Sequence, residues 1–303
     1  MHFYSPLRYP GGKGRLSILV KDVITENKLY DGTYIEPYAG GAGMAIVLLI
    51  EEYVWNIIIN DIDPTIYAFW HTLLNQTEWL RQTIADTHVT LEQWYIQKRI
   101  FENFQEYPIE KIGFATFFLN RTNRSGILKG GVIGGKQQAG KYKIDARYNK
   151  QDLDKRIQLI ARHRNRIQLF NMDAADFLKE AAKNLKGNCL FYFDPPYYDK
   201  GGLLYTNHYE HSDHVAVAKA IKNIKHPWIV TYDALPVTES LYSDFPSIHF
   251  SLTYSAHLER AKASEVMFYN GLHMPDYIKK MTMPYFGRYN LKDIGGAAPT
   301  IQQ

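Results

Sequence analysis

Asp194, Pro195, Pro196 and Tyr197 follow directly on the apolar run CLFYF, residues 189 to 193. Leu190 to Phe193 hardly alternate, the pattern of a strand buried on both faces, and Asp194 stands where that strand leaves the sheet. Ligands of open α/β sheets bind at that carboxyl edge. Two consecutive prolines stiffen the turn and remove two amide donors. A carboxylate, a bare proline carbonyl and an aromatic ring suit a planar heterocycle with an exocyclic amine. Tyr197 stacks on its face, while Asp194 and the Pro195 carbonyl accept its two N–H bonds. Such acceptors favour a pyramidal nitrogen and localise a lone pair for attack on an electrophilic methyl group. The bland alternative is an aspartate that only caps a turn.

A second constellation lies nearer the start. YIEPYAGGAGMAIVLL, residues 34 to 49, passes from a strand through a glycine-rich turn into an apolar helix, and Gly40, Gly41 and Gly43 let backbone approach a ligand closely. The next strand ends in NIIINDID and places Asp61 about twenty residues on, where an acid at a strand end accepts hydrogen bonds from both hydroxyls of a ribose. Together these point to a nucleoside-containing cofactor. RYPGGKGR, residues 8 to 15, reads as a turn presenting Tyr9 and Lys13 to a ligand. GGVIGGKQ, residues 130 to 137, fits a phosphate loop as far as Lys136, but Gln137 replaces the Ser or Thr that holds magnesium.

The elements that must position these residues are seven strands: 33–37, 56–60, 166–170, 189–193, 228–232, 247–254 and 265–269. Helical stretches separate the first five, which predicts an α/β, Rossmann-like doubly wound sheet, with the last two strands as an antiparallel pair at its edge. The gap of about a hundred residues between the second and third strands is too long for one crossover. A mainly helical module is therefore expected at 65–153, inserted into a catalytic domain made of 1–64 and 154–275. Residues 65–119 have helical spacing, 120–150 form a Gly- and Lys-rich loop, and 276–303 read as a loosely packed or disordered tail.

The chain has 303 residues and a formal charge of +4, but the charge is uneven. Residues 120–166 hold thirteen Lys and Arg against three Asp and no Glu, so that segment carries +10 and the remainder −6. A basic insert on an acidic scaffold is expected when one module meets phosphates and another does chemistry on a neutral or cationic ligand. No apolar run approaches a membrane span and the N-terminus lacks the apolar core of a signal peptide, so the expected location is cytoplasmic. The single cysteine, Cys189, excludes a disulfide framework and reads as a buried structural thiol. His208, His211 and His214 resemble metal ligands by spacing, but Ser212 and Asp213 look like the cap of the helix that follows, which would turn the histidines apart. No metal is expected.

RYPGGK, EPYAGGAG, NDID, FFLNRT and DPPY occur in that order, and in this the chain resembles the Dam-type (D12 class) S-adenosylmethionine-dependent N6-adenine DNA methyltransferases over roughly residues 5 to 270. The resemblance implies S-adenosylmethionine as cofactor, with Tyr9 and Lys13 helping to hold it. It puts the turn from Glu36 and Pro37 to Gly40 and Gly43 around its methionine portion, Asp61 on its ribose, and Asp176 and Phe177 beside its adenine. Asp194, Pro195, Pro196 and Tyr197 become the catalytic tetrad, with Asp194 close to both amine and cofactor. The insert becomes the target-recognition domain for duplex DNA. Relatives commonly read Asn-Arg, an aromatic or Thr, then Gly, an aromatic, Asn and Gly, where this chain has NRTNRSGI. Asn123, Arg124 and Ser125 stand at the divergent places, which leaves the recognition sequence open. Asn120, Arg121, Asn123 and Arg124 are expected at the DNA, with Lys129, Lys136, Lys141, Lys143 and Arg147 as phosphate contacts. A cognate restriction endonuclease is one candidate partner. The same active loop would also serve an RNA adenine or a protein amide methyltransferase, and a catalytically idle DNA-binding protein on this fold is the remaining alternative.

Overall fold

Polar residues close the apolar strands and start the helices beside them. Asp63 accepts a hydrogen bond from the Thr65 amide at 2.8 Å with Pro64 in the first helical turn, and Asn149 accepts from the Asp152 amide at 3.0 Å. The computed structural model describes residues 4–8, 16–198, 209–253, 262–279 and 285–286. It contains strands β1 (Thr33–Glu36), β2 (Asn56–Asn60), β3 (Ile167–Phe170), β4 (Cys189–Phe193), β5 (Trp228–Asp233), β6 (Ser247–Thr253), β7 (Lys262–Asn270) and β8 (Tyr285–Phe286). The sheet runs β3-β2-β1-β4-β5-β7-β6-β8. Strands β1 to β5 are parallel and β7 is antiparallel to both neighbours. All seven expected strands form. β8 is an addition: it pairs in parallel with β6 from within the segment expected to be a loose tail.

Alternation along the strands divides the core into two layers. Tyr34, Ile57, Ile59, Tyr192 and Ile229 face α1 (Ser17–Glu26) and α2 (Gly43–Ile50), whereas Ile35, Ile58, Phe191, Phe193 and Val230 face the opposite layer. That second layer includes α8 (Ala174–Asn184), α9 (His211–Lys222) and α10 (Pro236–Leu241). A last short helix, α11 (Asp276–Lys279), follows β7. This is a doubly wound α/β sheet.

Between β2 and β3 lie α3 (Pro64–Asn75), α4 (Thr77–Asp86), α5 (Leu91–Glu102), α6 (Ile109–Thr122) and α7 (Lys150–Arg162). Their apolar faces, with Trp70, Phe114, Phe117, Phe118 and Tyr148, belong to the same continuous cluster as the α1 and α2 face of the sheet. α3 and α6 cross closely at Gly113, where an added Cβ would stand 2.6 Å from the Ala68 carbonyl oxygen. From Asn123 to Asn149 the chain holds no α-helix or multi-residue strand, in keeping with its lack of periodicity. Among the described residues no helix is long and apolar enough to cross a membrane.

Candidate active site

The carboxyl ends of β1, β2 and β4 meet at three acids. Glu36 closes β1, Asp61 follows β2 and Asp194 follows β4. Glu36 is buried, its Oε2 has no hydrogen-bond partner, and burial, followed by the neighbouring Asp194, holds its carboxyl well above the usual carboxylate range. Asp61 accepts the Gly40 amide at 2.8 Å and the Asp63 amide at 2.9 Å. These donors lower its pKa, but burial outweighs them and pushes it up to about 7. No Lys or Arg among the described residues forms an ion pair with Glu36 or Asp61. Such a cradle suits a cation.

The glycine-rich turn is held from several sides. Gly40 has φ +46° and Ala42 φ +45°, the left-handed region that favours glycine at the first and strains the second. The Trp70 indole N–H donates to the Gly40 carbonyl at 2.9 Å, and the Ser5 hydroxyl donates to the Gly41 carbonyl. An added Cβ at Gly43 would meet nothing within 4 Å, so open space lies over the start of α2. Asn60 ties the edge together. Its Nδ2 donates to the Pro37 and Met172 carbonyls at 3.0 Å each, and its Oδ1 accepts the Met172 amide. Asn60 was not anticipated, although a polar residue closing the apolar run NIIIN is the signal that marks it.

Beside this cradle Asp194 is half-buried, Pro195 is buried, Pro196 half-buried, and Tyr197 only 7% exposed. Thr231 of β5, also unanticipated, places its hydroxyl 3.3 Å from Asp194 Oδ1. The next residue, Tyr198, stacks on the buried His214 ring with centroids 3.9 Å apart, and its hydroxyl lies 3.0 Å from His211 Nδ1. The two histidines thus serve the loop through different contacts. Glu210, rather than Ser212 or Asp213, caps α9, with Asp213 reaching back to the Glu210 amide. His208, Tyr9 and Lys13 lie outside the described residues.

A family model for the D12 class of N6 adenine-specific DNA methyltransferases matches residues 9–258. The chain belongs to that family. Its methyl donor is S-adenosylmethionine, a sulfonium cation that the unpartnered Glu36 oxygen and the acidic cradle fit. No curated protein matches the chain significantly. Among solved structures it is similar to a candidate RNA methyltransferase of Pyrococcus horikoshii, at 8% identity and TM-score 0.41, covering 87% of this chain and 84% of that one. A candidate class I S-adenosylmethionine-dependent methyltransferase of Listeria monocytogenes matches at 9% identity and TM-score 0.38, covering 92% and 66%. A candidate methyltransferase of Streptococcus mutans, solved with S-adenosylhomocysteine, matches at 7% and TM-score 0.34, covering 84% and 97%.

Several residues expected from the family's pattern are engaged within the protein itself. Phe177 is fully buried, its ring centroid 5.4 Å from that of Phe170 in the core. Asp176 is exposed in the first turn of α8 and pairs with Lys179 at 2.7 Å. In the insert of this D12-class chain, Asn120, Arg121 and Asn123 are interior rather than available to DNA. Asn120 accepts the Arg8 amide at 2.7 Å and donates to the Arg8 and Gly126 carbonyls. Asn123 accepts from the Trp94 indole at 2.7 Å and donates to the Ile127 and Leu128 carbonyls. Arg121 is 9% exposed and bonds the Arg147 and Pro6 carbonyls. Burial, then Arg8 and Arg156, lower its pKa to about 9. Asn120 and Arg121 turn inward because α6 is buried on most of its surface, and Asn123 follows as its buried C-cap residue. Arg124, Lys129, Lys136, Lys141, Lys143 and Arg147 are all exposed. Tyr142, 55% exposed, has the Lys141 and Arg147 cations 5.8 and 5.5 Å from its ring centroid, a feature that charge counting alone overlooks.

Proposed function

We propose that this chain is a site-specific DNA adenine methyltransferase acting on the N6 amine of an adenine extruded from duplex DNA. The observation that carries the reading is the Asp194 carboxylate, leaving β4 beside the buried Glu36 carboxyl, whose Oε2 has no hydrogen-bond partner, at the edge where the glycine-rich turn opens. When bound, S-adenosylmethionine supplies an electrophilic methyl group.

Asp194 and the Pro195 carbonyl accept hydrogen bonds from the two amine N–H groups, which turns the nitrogen lone pair out of conjugation with the ring and towards the methyl group. Tyr197 covers the ring face. Its small exposed area means that entry of the base displaces part of the loop 194–198. The amine proton lost after transfer passes through Asp194 to water, and with the sulfonium charge consumed in the step no strong base is needed. Glu36 faces the cationic end of the cofactor, and Asp61 accepts its ribose hydroxyls. On this reading the exposed Arg124 and Tyr142, with the exposed lysines of the loop 123–149, face the duplex, where the lysines neutralise phosphates and Arg124 reads a base. Cytosine ring-carbon transfer needs a thiolate nucleophile, whereas Cys189 is buried inside β4 with its thiol pKa raised by that burial.

The test is transfer of labelled methyl to genomic DNA, followed by modified-base sequencing. N6-methyladenine in one short context is the expected result. Cofactor binding without DNA labelling would overturn the reading and direct the same assay to RNA and protein.

A further inference from the structure

Thr231 lies on β5 one residue beyond Val230, the partner of Phe193 in the β4–β5 ladder, and so stands opposite Asp194. Its side chain is fully buried on the same sheet face as Ile229, Tyr192 and Tyr34. Three oxygens surround its hydroxyl: Tyr192 OH at 3.0 Å, Asp194 Oδ1 at 3.3 Å and the Phe193 carbonyl at 3.4 Å. Valine has the same branched shape and fills a buried strand position as well, so packing does not call for a hydroxyl here. Burying one is unfavourable unless it is hydrogen-bonded. With the Tyr192 hydroxyl donating to Thr231, the threonine proton is left for the carboxylate, the stronger of its two acceptors because it is charged.

We infer that Thr231, with Tyr192 behind it, is a positioning residue that fixes the orientation of the Asp194 carboxylate. The inference rests on the adenine transfer proposed above. Glu36 and Tyr34 interact with Asp194 from β1, and Asp233 lies two residues on from Thr231 on the same face, opposite Glu265 of β7. Rotation of the carboxylate would move the acceptor that the amine must find, and a buried donor on the facing strand limits that rotation.

The experiment compares Thr231→Val with Thr231→Ser. Thr231→Val is expected to lower kcat by on the order of ten- to a hundred-fold. Its cofactor affinity, measured by calorimetry, should stay within about two-fold of wild type, and Thr231→Ser should retain activity within about three-fold. The Asp194 carboxyl, followed by NMR of carboxyl-labelled aspartate and assigned with Asp194→Asn, should titrate at higher pH in Thr231→Val, because a donor to the charged form has been removed. Turnover within two-fold of wild type in Thr231→Val, an equal loss in both variants, or an unmoved titration would each overturn the inference. If the wild-type protein labels no DNA, the adenine reading fails, while the carboxyl titration still decides the role of Thr231.

Discussion

Replacing Asp194 by Ala should abolish methyl transfer and leave the melting temperature close to wild type, since the side chain is half-buried at a strand end and packs against no core cluster. Near-normal turnover would remove it from the mechanism. Glu36 gives a second prediction. Its carboxyl is held well above the usual range in the ligand-free protein, and a bound cation would favour the charged form. Cofactor binding should therefore release protons, seen as a dependence of calorimetric enthalpy on buffer ionisation, and Glu36→Gln should reduce that dependence to the share that belongs to Asp61. Asp61 adds a signature in stability. Its pKa rises from 3.8 unfolded to about 7 folded, so its contribution is present in full below about 4 and lost as pH rises through 7. Asp61→Asn should flatten the fall in melting temperature over that window, and a wild-type profile already flat there would count against the shift. The acids at this edge were readable because a polar residue ending an apolar run stands out. Thr231 was not, because a threonine inside WIVTY is ordinary strand chemistry until the register puts it opposite Asp194.

Elements were more legible than side-chain directions. Seven strands could be placed because buried strands make short, dense apolar runs. β8 has two residues and leaves no such pattern. The start of α9 was misplaced by two candidate caps, Ser212 and Asp213, when Glu210 takes that position and draws both into the helix. At the end of α6 the types of Asn120, Arg121 and the C-cap Asn123 suggested nucleic acid, yet local sequence does not say which side of a helix will be covered, and here nearly all of it is. Gly113 shows what that burial demands. On propensity alone, Gly113→Ala would stabilise a helix interior by about 1 kcal/mol. The new methyl would stand 2.6 Å from the Ala68 carbonyl oxygen of α3, and overpacking of that kind costs about 1–3 kcal/mol. Steric conflict wins, so Gly113→Ala should lower stability in denaturant titration; a stabilised variant would mean that α3 and α6 separate easily.

For the molecule as a whole, charge placement predicts how it meets DNA. Six exposed cations lie in the loop 123–149, while the carboxyl edge of the sheet is acidic. DNA affinity should fall steeply with salt, and each lysine that neutralises a phosphate should contribute about 0.9 to the slope of log affinity against log salt. Replacing Lys136 and Lys141 by Gln should lower the slope on all sequences alike, whereas Arg124→Ala should relax discrimination at one base position if it reads a base. An unchanged slope would exclude those lysines from the interface.

The continuous core beneath the insert limits how such a protein can acquire a new target. Helices α3 to α7 bury Trp70, Phe117 and Leu153 in the same cluster as Tyr34 and Ile59 of the sheet, so a foreign 65–153 segment would have to match that packing residue by residue. The loop 123–149 carries that obligation chiefly at Val132, Ile144 and Tyr148, while its cations and Tyr142 point outward. New specificities should therefore arise by rewriting the loop in place. Chimeras that exchange only 124–147 should fold and bind cofactor, and those that exchange the whole insertion should precipitate. On the proposed reading, the element that reads DNA would in evolutionary terms be interchangeable, and the helices that carry it inherited with the rest of the protein.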